Sequence, residues 1–120
     1  MKVVILGCGQ VGSTLALMLD AEGHDVSVID KDRDAFRRLG EHFRGRTVTG
    51  LGIDVDVLRE AGTEGADAFL AVTNSDNSNL TASQIAKHLF GVPKVLARVY
   101  DPLLAQVYGE LGIETVSATV

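Results

Sequence analysis

A glycine-rich segment near the start of the chain, Gly7-Cys8-Gly9-Gln10-Val11-Gly12, carries the clearest chemical signal in the sequence. It follows an apolar run and leads into a helical pattern, which is the context a phosphate-binding turn requires. Gly7 permits a tight turn, Gly9 lets the backbone approach a pyrophosphate, and Gly12 allows strand and helix to pack closely. The helix start adds free backbone N–H groups and a partial positive charge. Rather than a plain glycine-rich turn, we predict a dinucleotide-binding turn that includes Gly7, Gly9, Gln10, Val11 and Gly12.

Asp30 ends the second apolar run, 18 residues beyond Gly12. A carboxylate there accepts hydrogen bonds from both hydroxyls of an adenosine ribose and repels a 2′-phosphate. NAD(H) is therefore the first candidate ligand, ahead of NADP. ATP and ADP are also possible ligands, because these residues bind only the adenosine half of the dinucleotide. Lys31, which we include in the candidate site, and Arg33 could soften the repulsion, although such charges at a helix start are more often simply solvated.

The end of the fourth apolar run supplies polar residues for a second wall of the site. Thr73 and Asn74 follow that run directly and can hydrogen-bond a ribose or a base. The segment Asn74-Ser75-Asp76 also suits a helix start, because such side chains cap backbone N–H groups. Asn79 lies one turn later and can point the same way. The predicted site therefore includes Thr73, Asn74 and Asn79.

Arg98 is unusual because it stands near the carboxyl end of an otherwise apolar strand pattern. An unpaired charge is costly to bury, so this guanidinium needs a partner. A structural reading pairs it with Asp76 or Asp101. A functional reading pairs it with a phosphate of the bound nucleotide or with a carboxylate across a subunit interface. Both readings stay open, and Arg98 is a candidate site residue.

The sequence carries little that could perform catalysis. His24, His42 and His88 fall on charged helix surfaces or helix ends, outside any nucleophile–base motif. Cys8 is either a reactive thiol, with its pKa lowered at a helix N-terminus, or a small residue that fills the turn, and we favour the second interpretation. No metal-ligand spacing occurs. We predict no catalytic residue and no metal site.

The elements that must position these residues alternate between strands and helices. The chain is 46% hydrophobic with only 5% aromatic residues, and valine and isoleucine favour strands where leucine and alanine favour helices. The predicted strands are Val3–Leu6, Val26–Ile29, Thr47–Thr49, Ala68–Thr73, Val95–Val99 and Thr115–Ala118. The predicted helices are Ser13–Asp20 with Leu15, Met18 and Leu19 in register, Asp32–Phe43 with Phe36, Leu39 and Phe43 inward, Val55–Ala61, a segment ending near Phe90, and one from Pro102 closed by Gly112.

Apolar strands that alternate with helices predict a parallel sheet covered on both faces. Right-handed crossovers and two similar halves give a doubly wound, six-stranded Rossmann sheet in the order 3-2-1-4-5-6. Ligands in such α/β sheets lie beyond the carboxyl ends of the strands, here between strands one and four. We predict one α/β domain over residues 1–120, without the second domain that a dehydrogenase needs to hold its substrate.

Charge and cysteine content limit the partners and the compartment. The formal charge is −5, from 11 basic and 16 acidic residues, so we expect no nucleic-acid partner. Cys8 is the single cysteine, which fits a reducing compartment. No run of about 18 apolar residues follows the short apolar start, so we expect a cytoplasmic domain that does not itself span a membrane.

The last predicted helix is apolar over a wider arc than one core contact usually covers. Its stripes, and the residues of the preceding helix that could extend them, are Leu103 with Val107, Leu104 with Tyr108 and Leu111, and Ile85 with Leu89. An apolar surplus on a small domain commonly marks an interface, so we predict self-association through this helix. The alternative is that loops or the sixth strand cover the surplus.

From about Lys2 to Ala118 the chain resembles the N-terminal nucleotide-binding domain of the Trk-type potassium-uptake regulators, also called RCK or KTN domains. The residues that carry the resemblance are the glycine turn, Asp30, Val57-Leu58-Arg59-Glu60-Ala61-Gly62, Ala66-Asp67-Ala68-Phe69-Leu70-Ala71-Val72-Thr73, Asp76-Asn77-Ser78-Asn79, Ala97-Arg98-Val99 and Leu111-Gly112-Ile113. The glycine turn is common to many proteins, whereas the middle string and the Ala-Arg-Val strand are far more specific.

The resemblance implies a cytosolic domain that binds NAD(H) or ATP/ADP and assembles into homodimers or larger rings. Through that assembly it would gate a membrane potassium transporter or channel at the inner face of the membrane, without turnover. Leu51 departs from the family pattern, which commonly has aspartate there. Gln10 stands where some relatives have an arginine that reaches a terminal phosphate, which favours NAD(H) over an ATP-specific mode. The family's usual C-terminal regulatory lobe is missing from these 120 residues.

Two functions of other classes stay open. The chain could be the cofactor-binding half of a small NAD-dependent reductase that another chain completes. It could also be a redox switch that acts through Cys8. The thin catalytic inventory favours a regulatory domain that is not an enzyme.

Overall fold

Parallel strands form the central layer of the molecule. In the computed structural model, which describes residues 1–118, they are β1 (Lys2–Leu6), β2 (Asp25–Asp30), β3 (Arg46–Thr49), β4 (Ala68–Ala71), β5 (Lys94–Val99) and β6 (Glu114–Ser117). They pair in the order β3-β2-β1-β4-β5-β6, always in parallel. The predicted doubly wound order is confirmed, and the order reverses between β1 and β4. The predicted domain end at residues 119 and 120 lies outside the described part.

Helices cover both faces of the sheet. They are α1 (Gln10–Ala21), α2 (Val55–Glu60), α3 (Asp76–Gln84), which continues as a π-helical turn over Ile85–Leu89, and α4 (Pro102–Glu110). One apolar core joins the sheet to α1 and to a 3₁₀ helix, and the other joins it to α2, α3 and α4. Burial on both faces explains why the central strands are apolar throughout. Nowhere in residues 1–118 is a helix long and apolar enough to cross a membrane.

The second predicted helix, Asp32–Phe43, is wrong in both type and length. The structure has a 3₁₀ helix over Arg33–Leu39, followed by Gly40 with a φ of 73°. Because glycine adopts this left-handed conformation without the steric cost of a side chain, the helix ends before the apolar pattern does. The inward positions were identified correctly, since Leu39 is buried and Phe36 and Phe43 pack against the core.

The first helix starts earlier and has a different buried face from the one predicted. It begins at Gln10 rather than Ser13, and Ala16 is fully buried while Met18 is 57% exposed. Gly12 and Ala16 lie one turn apart and face the sheet, so the smallest residues of α1 allow it to approach closely. Met18 therefore belongs to the outer surface, contrary to the prediction, while Leu15 packs partly against the core.

The fourth strand is shorter than predicted, ending at Ala71 rather than Thr73. The backbone N–H of Val72 still bonds to the carbonyl of Leu6 at 2.9 Å. The N–H of Thr73 turns instead to the side-chain Oδ1 of Asn79, at 3.0 Å. A side chain of the following helix thus replaces a strand partner, and the chain leaves the sheet at Val72.

The outer surface of α4 carries an apolar stripe, which we call the α4 stripe: Leu103, Val107 and Leu111. These side chains are 66%, 45% and 51% exposed, whereas Leu104 and Tyr108 pack against the core. Leu111, which was predicted to share the face of Leu104 and Tyr108, is therefore exposed while those two residues pack against the core. In the preceding segment Ile85 packs against the core, and Leu89 is 59% exposed.

Candidate functional site

A cleft of about 500 Å³ opens beyond the carboxyl ends of the strands, where the strand order reverses. Five chain segments meet there: the turn after β1, the end of β2 with the 3₁₀ helix, the loop after β3, the exit of β4 and the end of β5. Its lining residues are Leu6, Gly7, Cys8, Gly9, Gln10, Val11, Asp30, Lys31, Asp32, Ala35, Arg38, Gly50, Leu51, Gly52, Val72, Thr73, Asn74, Ser75, Ser78 and Arg98. Most of the predicted site residues are therefore brought together.

The turn after β1 presents backbone rather than side chains to the cleft. Gly9 is the N-cap of α1, and within the described chain this helix begins without a side-chain cap. By contrast Asp54, Ser75 and Asp101 cap α2, α3 and α4 through their side chains. The first N–H groups of α1 are therefore the helix N-terminus available to a phosphate in the cleft.

The three glycines of the turn have different steric surroundings. A Cβ added at Gly9 would meet nothing within 4 Å, so the space above it is open. At Gly12 it would lie 1.8 Å from the carbonyl oxygen of Gly7, and at Gly7, where φ is 108°, it would lie 3.0 Å from the backbone nitrogen of Thr73. Gly12 lies outside the lining and serves packing, which matches the separate roles expected from the sequence.

Asp30 is half-buried at the end of β2, with its carboxylate facing the turn. Its Oδ2 accepts the backbone N–H of Cys8 at 2.7 Å, and its Oδ1 accepts that of Asp32 at 2.8 Å. A carboxylate offers about four lone-pair directions, so both oxygens keep the capacity to accept ribose hydroxyls. Lys31 and Arg38 are exposed cations on the same side of the cleft.

Thr73 and Asn79 form a fixed hydrogen-bonded unit at the exit of β4. Asn79 Oδ1 accepts the Thr73 hydroxyl at 2.6 Å, and its Nδ2 donates to the carbonyls of Thr73 at 2.9 Å and Arg98 at 2.8 Å. Asn79, predicted as a site residue, is fully buried and is not part of the cleft lining. Its hydrogen bonds join the exit of β4, at Thr73, to the end of β5, at Arg98. Asn74 is exposed at the cleft, and Ser75 caps α3.

Arg98 lines the cleft, and its partner differs from both predicted carboxylates. Its guanidinium donates to the Tyr100 hydroxyl and lies 5.0 Å from the centre of that ring. Asp76 instead accepts the backbone N–H groups of Tyr100 and Asp101, at 2.7 and 3.0 Å. Asp101 caps α4 through the N–H of Leu103. The predicted pairing with Asp76 or Asp101 is therefore wrong: in residues 1–118 no ion pair joins Arg98 to either carboxylate.

Cys8 is a buried side chain beside the site. Burial raises the pKa of its thiol above the ordinary value, the nearby Asp30 carboxylate raises it further, and Arg38 partly opposes both. The sulfur lies 3.4 Å from the carbonyl of Ala35. The hypothesis of a reactive thiol with a lowered pKa is wrong, and the favoured interpretation of a small residue that fills the turn fits the structure.

Sequence reasoning missed one side of the cleft. Ala35 and Arg38 reach it from the 3₁₀ helix, and the segment Gly50-Leu51-Gly52 forms its rim. The backbone N–H of Gly50 bonds to the carbonyl of Asp30, which places this rim beside the end of β2. The glycines that follow the third strand could have indicated this rim from the sequence. The position of Arg38 could not be predicted, because the apolar pattern does not show that its helix is a 3₁₀ helix.

The histidines of residues 1–118 lie away from the cleft. No histidine of the described chain lines it, and His24 Nδ1 lies 3.1 Å from the N-terminal amine. Across residues 1–118, no cluster of three or more His, Cys, Asp or Glu side chains is arranged to hold a metal ion. The cleft itself presents backbone N–H groups, carboxylates and cations.

Comparison with known proteins identifies the family of this chain. The family model of the TrkA-N domain matches residues 3–119. The Trk system potassium uptake protein TrkA of Streptomyces coelicolor is 57% identical over 117 residues, which is 98% of this chain and 52% of that protein. This chain therefore spans about half the length of that relative.

Solved structures share the fold at lower sequence identity. The TrkA-N domain of the inner membrane protein ybaL from Escherichia coli superimposes with a TM-score of 0.86 at 21% identity, covering 98% of this chain and 87% of that one. The GsuK channel bound to NAD superimposes with a TM-score of 0.80 at 23% identity, covering 96% and 21%. At these identities the likeness establishes the fold.

Proposed function

The chain belongs to the TrkA-N domain family, and from this membership and the cleft we propose that it is a nucleotide-sensing regulatory domain that binds NAD(H). The observation that carries the proposal is the pairing of an open glycine turn with the Asp30 carboxylate. The turn leaves the N-terminus of α1 free for a pyrophosphate, and Asp30 is 2.7 Å from the same turn. ADP or ATP would use the same adenosine grip.

Different residues around the cleft would bind different parts of the ligand. The backbone of Gly7, Gly9, Gln10 and Val11 would hold the pyrophosphate, with Asp30 on the adenosine ribose. Arg98 would approach a phosphate from the β5 side, while Lys31, Thr73 and Asn74 would contact the ends of the ligand. These groups bind, orient and neutralise charge, so we propose sensing without turnover.

Regulation of potassium transport belongs to the same proposal. It is supported by 57% identity to a protein named for Trk potassium uptake, of which this chain spans 52%. A membrane potassium transporter or channel subunit is the proposed partner, with this domain on the cytoplasmic side of the membrane. Self-association through the α4 stripe would join copies of the domain into a dimer or a larger ring.

The direct test is calorimetric titration of the purified chain with NADH, NAD⁺, ADP and ATP. We expect binding of NADH or NAD⁺, with Gly9→Val as the matched variant that keeps the fold and loses the ligand. Mass spectrometry of protein purified under native conditions would identify any nucleotide that it carries. Absence of binding by all four nucleotides would refute the proposal, and NADH oxidation with small carbonyl substrates would favour the reductase alternative.

A connection to potassium transport needs a cellular measurement. In cells that depend on this protein for potassium uptake, replacing it by the Gly9→Val variant should reduce uptake at low external potassium. The Met18→Glu variant, changed on the outer surface of α1, is the control and should leave uptake unchanged. Equal uptake with the unmodified protein, Gly9→Val and Met18→Glu would show that potassium transport does not depend on the nucleotide site.

A further inference from the structure

We propose that Tyr100, which lies outside the cleft, is the positioning residue that holds Arg98 ready for the phosphates of the nucleotide. This inference rests on the proposed nucleotide function and adds to it the residue that sets phosphate affinity. Tyr100 is half-buried and is not part of the cleft lining, so it would act through Arg98 alone.

The register of β5 determines where Arg98 points. Val95, Ala97 and Val99 pack into the core on the side of α3 and α4. Side chains alternate along a strand, so Arg98 points to the opposite face, which is the face covered by α1. Because α1 begins at the glycine turn, the guanidinium shares its side of the sheet with the N–H groups proposed to hold the pyrophosphate.

The guanidinium of Arg98 contacts a neutral side chain rather than a carboxylate. In residues 1–118 the ion pairs join Arg44 to Asp20 and Arg59 to Asp56, and neither includes Arg98. The Tyr100 hydroxyl accepts a hydrogen bond from the guanidinium, and the ring lies 5.0 Å from its carbon. A hydroxyl and an aromatic face fix the direction of a guanidinium but do not neutralise it, so its charge stays available to an anion.

Tyr100 and Arg98 are both anchored to α3. The Tyr100 backbone N–H bonds to Asp76 Oδ1 at 2.7 Å, and the Arg98 carbonyl accepts from Asn79 Nδ2 at 2.8 Å. Holding a long side chain in one rotamer before binding removes an entropy cost that the ligand would otherwise meet. Tyr100 therefore raises the phosphate-dependent part of the affinity without contacting the ligand.

The test compares ligands that share adenosine and differ in phosphate. Adenosine, AMP and ADP are titrated calorimetrically into the unmodified protein and into Tyr100→Phe, which loses the hydroxyl and keeps the ring. We expect ADP affinity to fall by about threefold to tenfold, the net scale of one ordinary hydrogen bond, because the lost bond acts on the ligand only through Arg98, with adenosine affinity unchanged. The affinity gap between ADP and adenosine should also narrow with added salt in the unmodified protein and less so in the variant.

Two matched variants isolate the effect. Tyr108→Phe removes the hydroxyl of the other tyrosine, which packs against the core from α4. Arg59→Gln removes the other stacked arginine, whose guanidinium lies 5.6 Å from the Phe90 ring. Both should keep the affinity gap between ADP and adenosine, whereas Arg98→Gln should narrow it at least as much as Tyr100→Phe does.

The outcomes separate this inference from the proposed function. If the unmodified protein binds no nucleotide, both fail. If it binds ADP and Tyr100→Phe has the same gap as the unmodified protein, or a wider one, the nucleotide function stands and the positioning role is refuted. Equal loss of adenosine and ADP affinity would also refute it, because a positioning effect on Arg98 acts on phosphate alone.

Discussion

The Oδ2 atom of Asp30 accepts a hydrogen bond from the backbone N–H of Cys8 at 2.7 Å, so the end of β2 holds the turn that follows β1. The same carboxylate accepts the N–H of Asp32 through Oδ1 at 2.8 Å. A residue expected only to read the ribose is therefore also part of the support of the phosphate turn.

The double role of Asp30 changes what its substitution should do. Asp30→Ala should weaken NADH binding by about 1.5–3 kcal/mol, because hydrogen bonds to a charged acceptor are lost. The binding of NADPH should weaken less, since the variant also removes the carboxylate that repels its 2′-phosphate. Comparing NADH and NADPH by calorimetry in the same variant controls for damage to the turn, which affects both. Equal loss for the two cofactors would remove Asp30 from the ribose position.

Gly9 offers a way to fill the site without disturbing the fold. Its φ is −82°, which any residue can adopt, and an added Cβ would meet nothing within 4 Å. Gly9→Val should therefore fold normally, with an unchanged circular dichroism spectrum, and should lose nucleotide binding because the side chain occupies the pyrophosphate position. Normal binding by this variant would mean that the pyrophosphate lies elsewhere.

Gly12 provides the opposite case in the same turn. A Cβ at Gly12 would lie 1.8 Å from the carbonyl oxygen of Gly7, a contact that only movement of the backbone can relieve. Gly12→Ala should reduce the free energy of unfolding by about 1–3 kcal/mol, measured by urea denaturation. If Gly12→Ala is as stable as the unmodified protein, the close packing of α1 on β1 is not required.

The layout of the fold could be predicted because it depends on local patterns. Apolar runs separated by helical periods determine the strands, and the right-handed crossover rule then leaves the order β3-β2-β1-β4-β5-β6. The 3₁₀ helix was mistaken for a longer α-helix because Phe43 continues the apolar spacing beyond Gly40. A left-handed glycine is a backbone property that hydrophobic periodicity does not encode.

The site was predictable where residue type and spacing together form a recognisable motif. The glycine turn and Asp30 meet in the cleft as expected. Asn79 and Arg98 were harder, because an amide or a guanidinium binds whichever group tertiary structure brings near. Asn79 is used by Thr73 and by the Arg98 carbonyl, and Arg98 by Tyr100, none of which follows from sequence spacing.

The Cys8 thiol should affect how stability depends on pH. Its pKa is raised in the folded protein, first by burial and then by Asp30, so the unfolded thiol loses its proton at lower pH than the folded one. Deprotonation then favours the unfolded state, and the free energy of unfolding should fall as pH rises above about 8.5. Urea denaturation from neutral pH to about pH 10 should show a smaller fall in Cys8→Ala. Fast labelling of the native thiol at neutral pH would contradict this burial.

The α4 stripe should mediate self-association. Leu103, Val107 and Leu111 are 66%, 45% and 51% exposed, whereas Leu104 and Tyr108 pack against the core. Neither loops nor β6 cover them in residues 1–118, so the alternative weighed from the sequence does not account for them. An exposed apolar stripe of this kind on a small domain favours an interface. Light scattering at tens of micromolar should therefore show a dimer or a larger assembly.

A charge in the centre of the stripe should break this assembly. Val107→Glu is the appropriate variant, because Tyr108 packs against the core and a charge there would perturb folding as well. Met18→Glu, at a side chain 57% exposed on α1 over the other face of the sheet, is the matched control and should leave the assembly intact. We expect Val107→Glu to shift the protein towards monomer while nucleotide affinity changes little, since α4 does not line the cleft. A monomeric unmodified protein, or an equal shift in both variants, would refute the interface and leave the nucleotide site untouched.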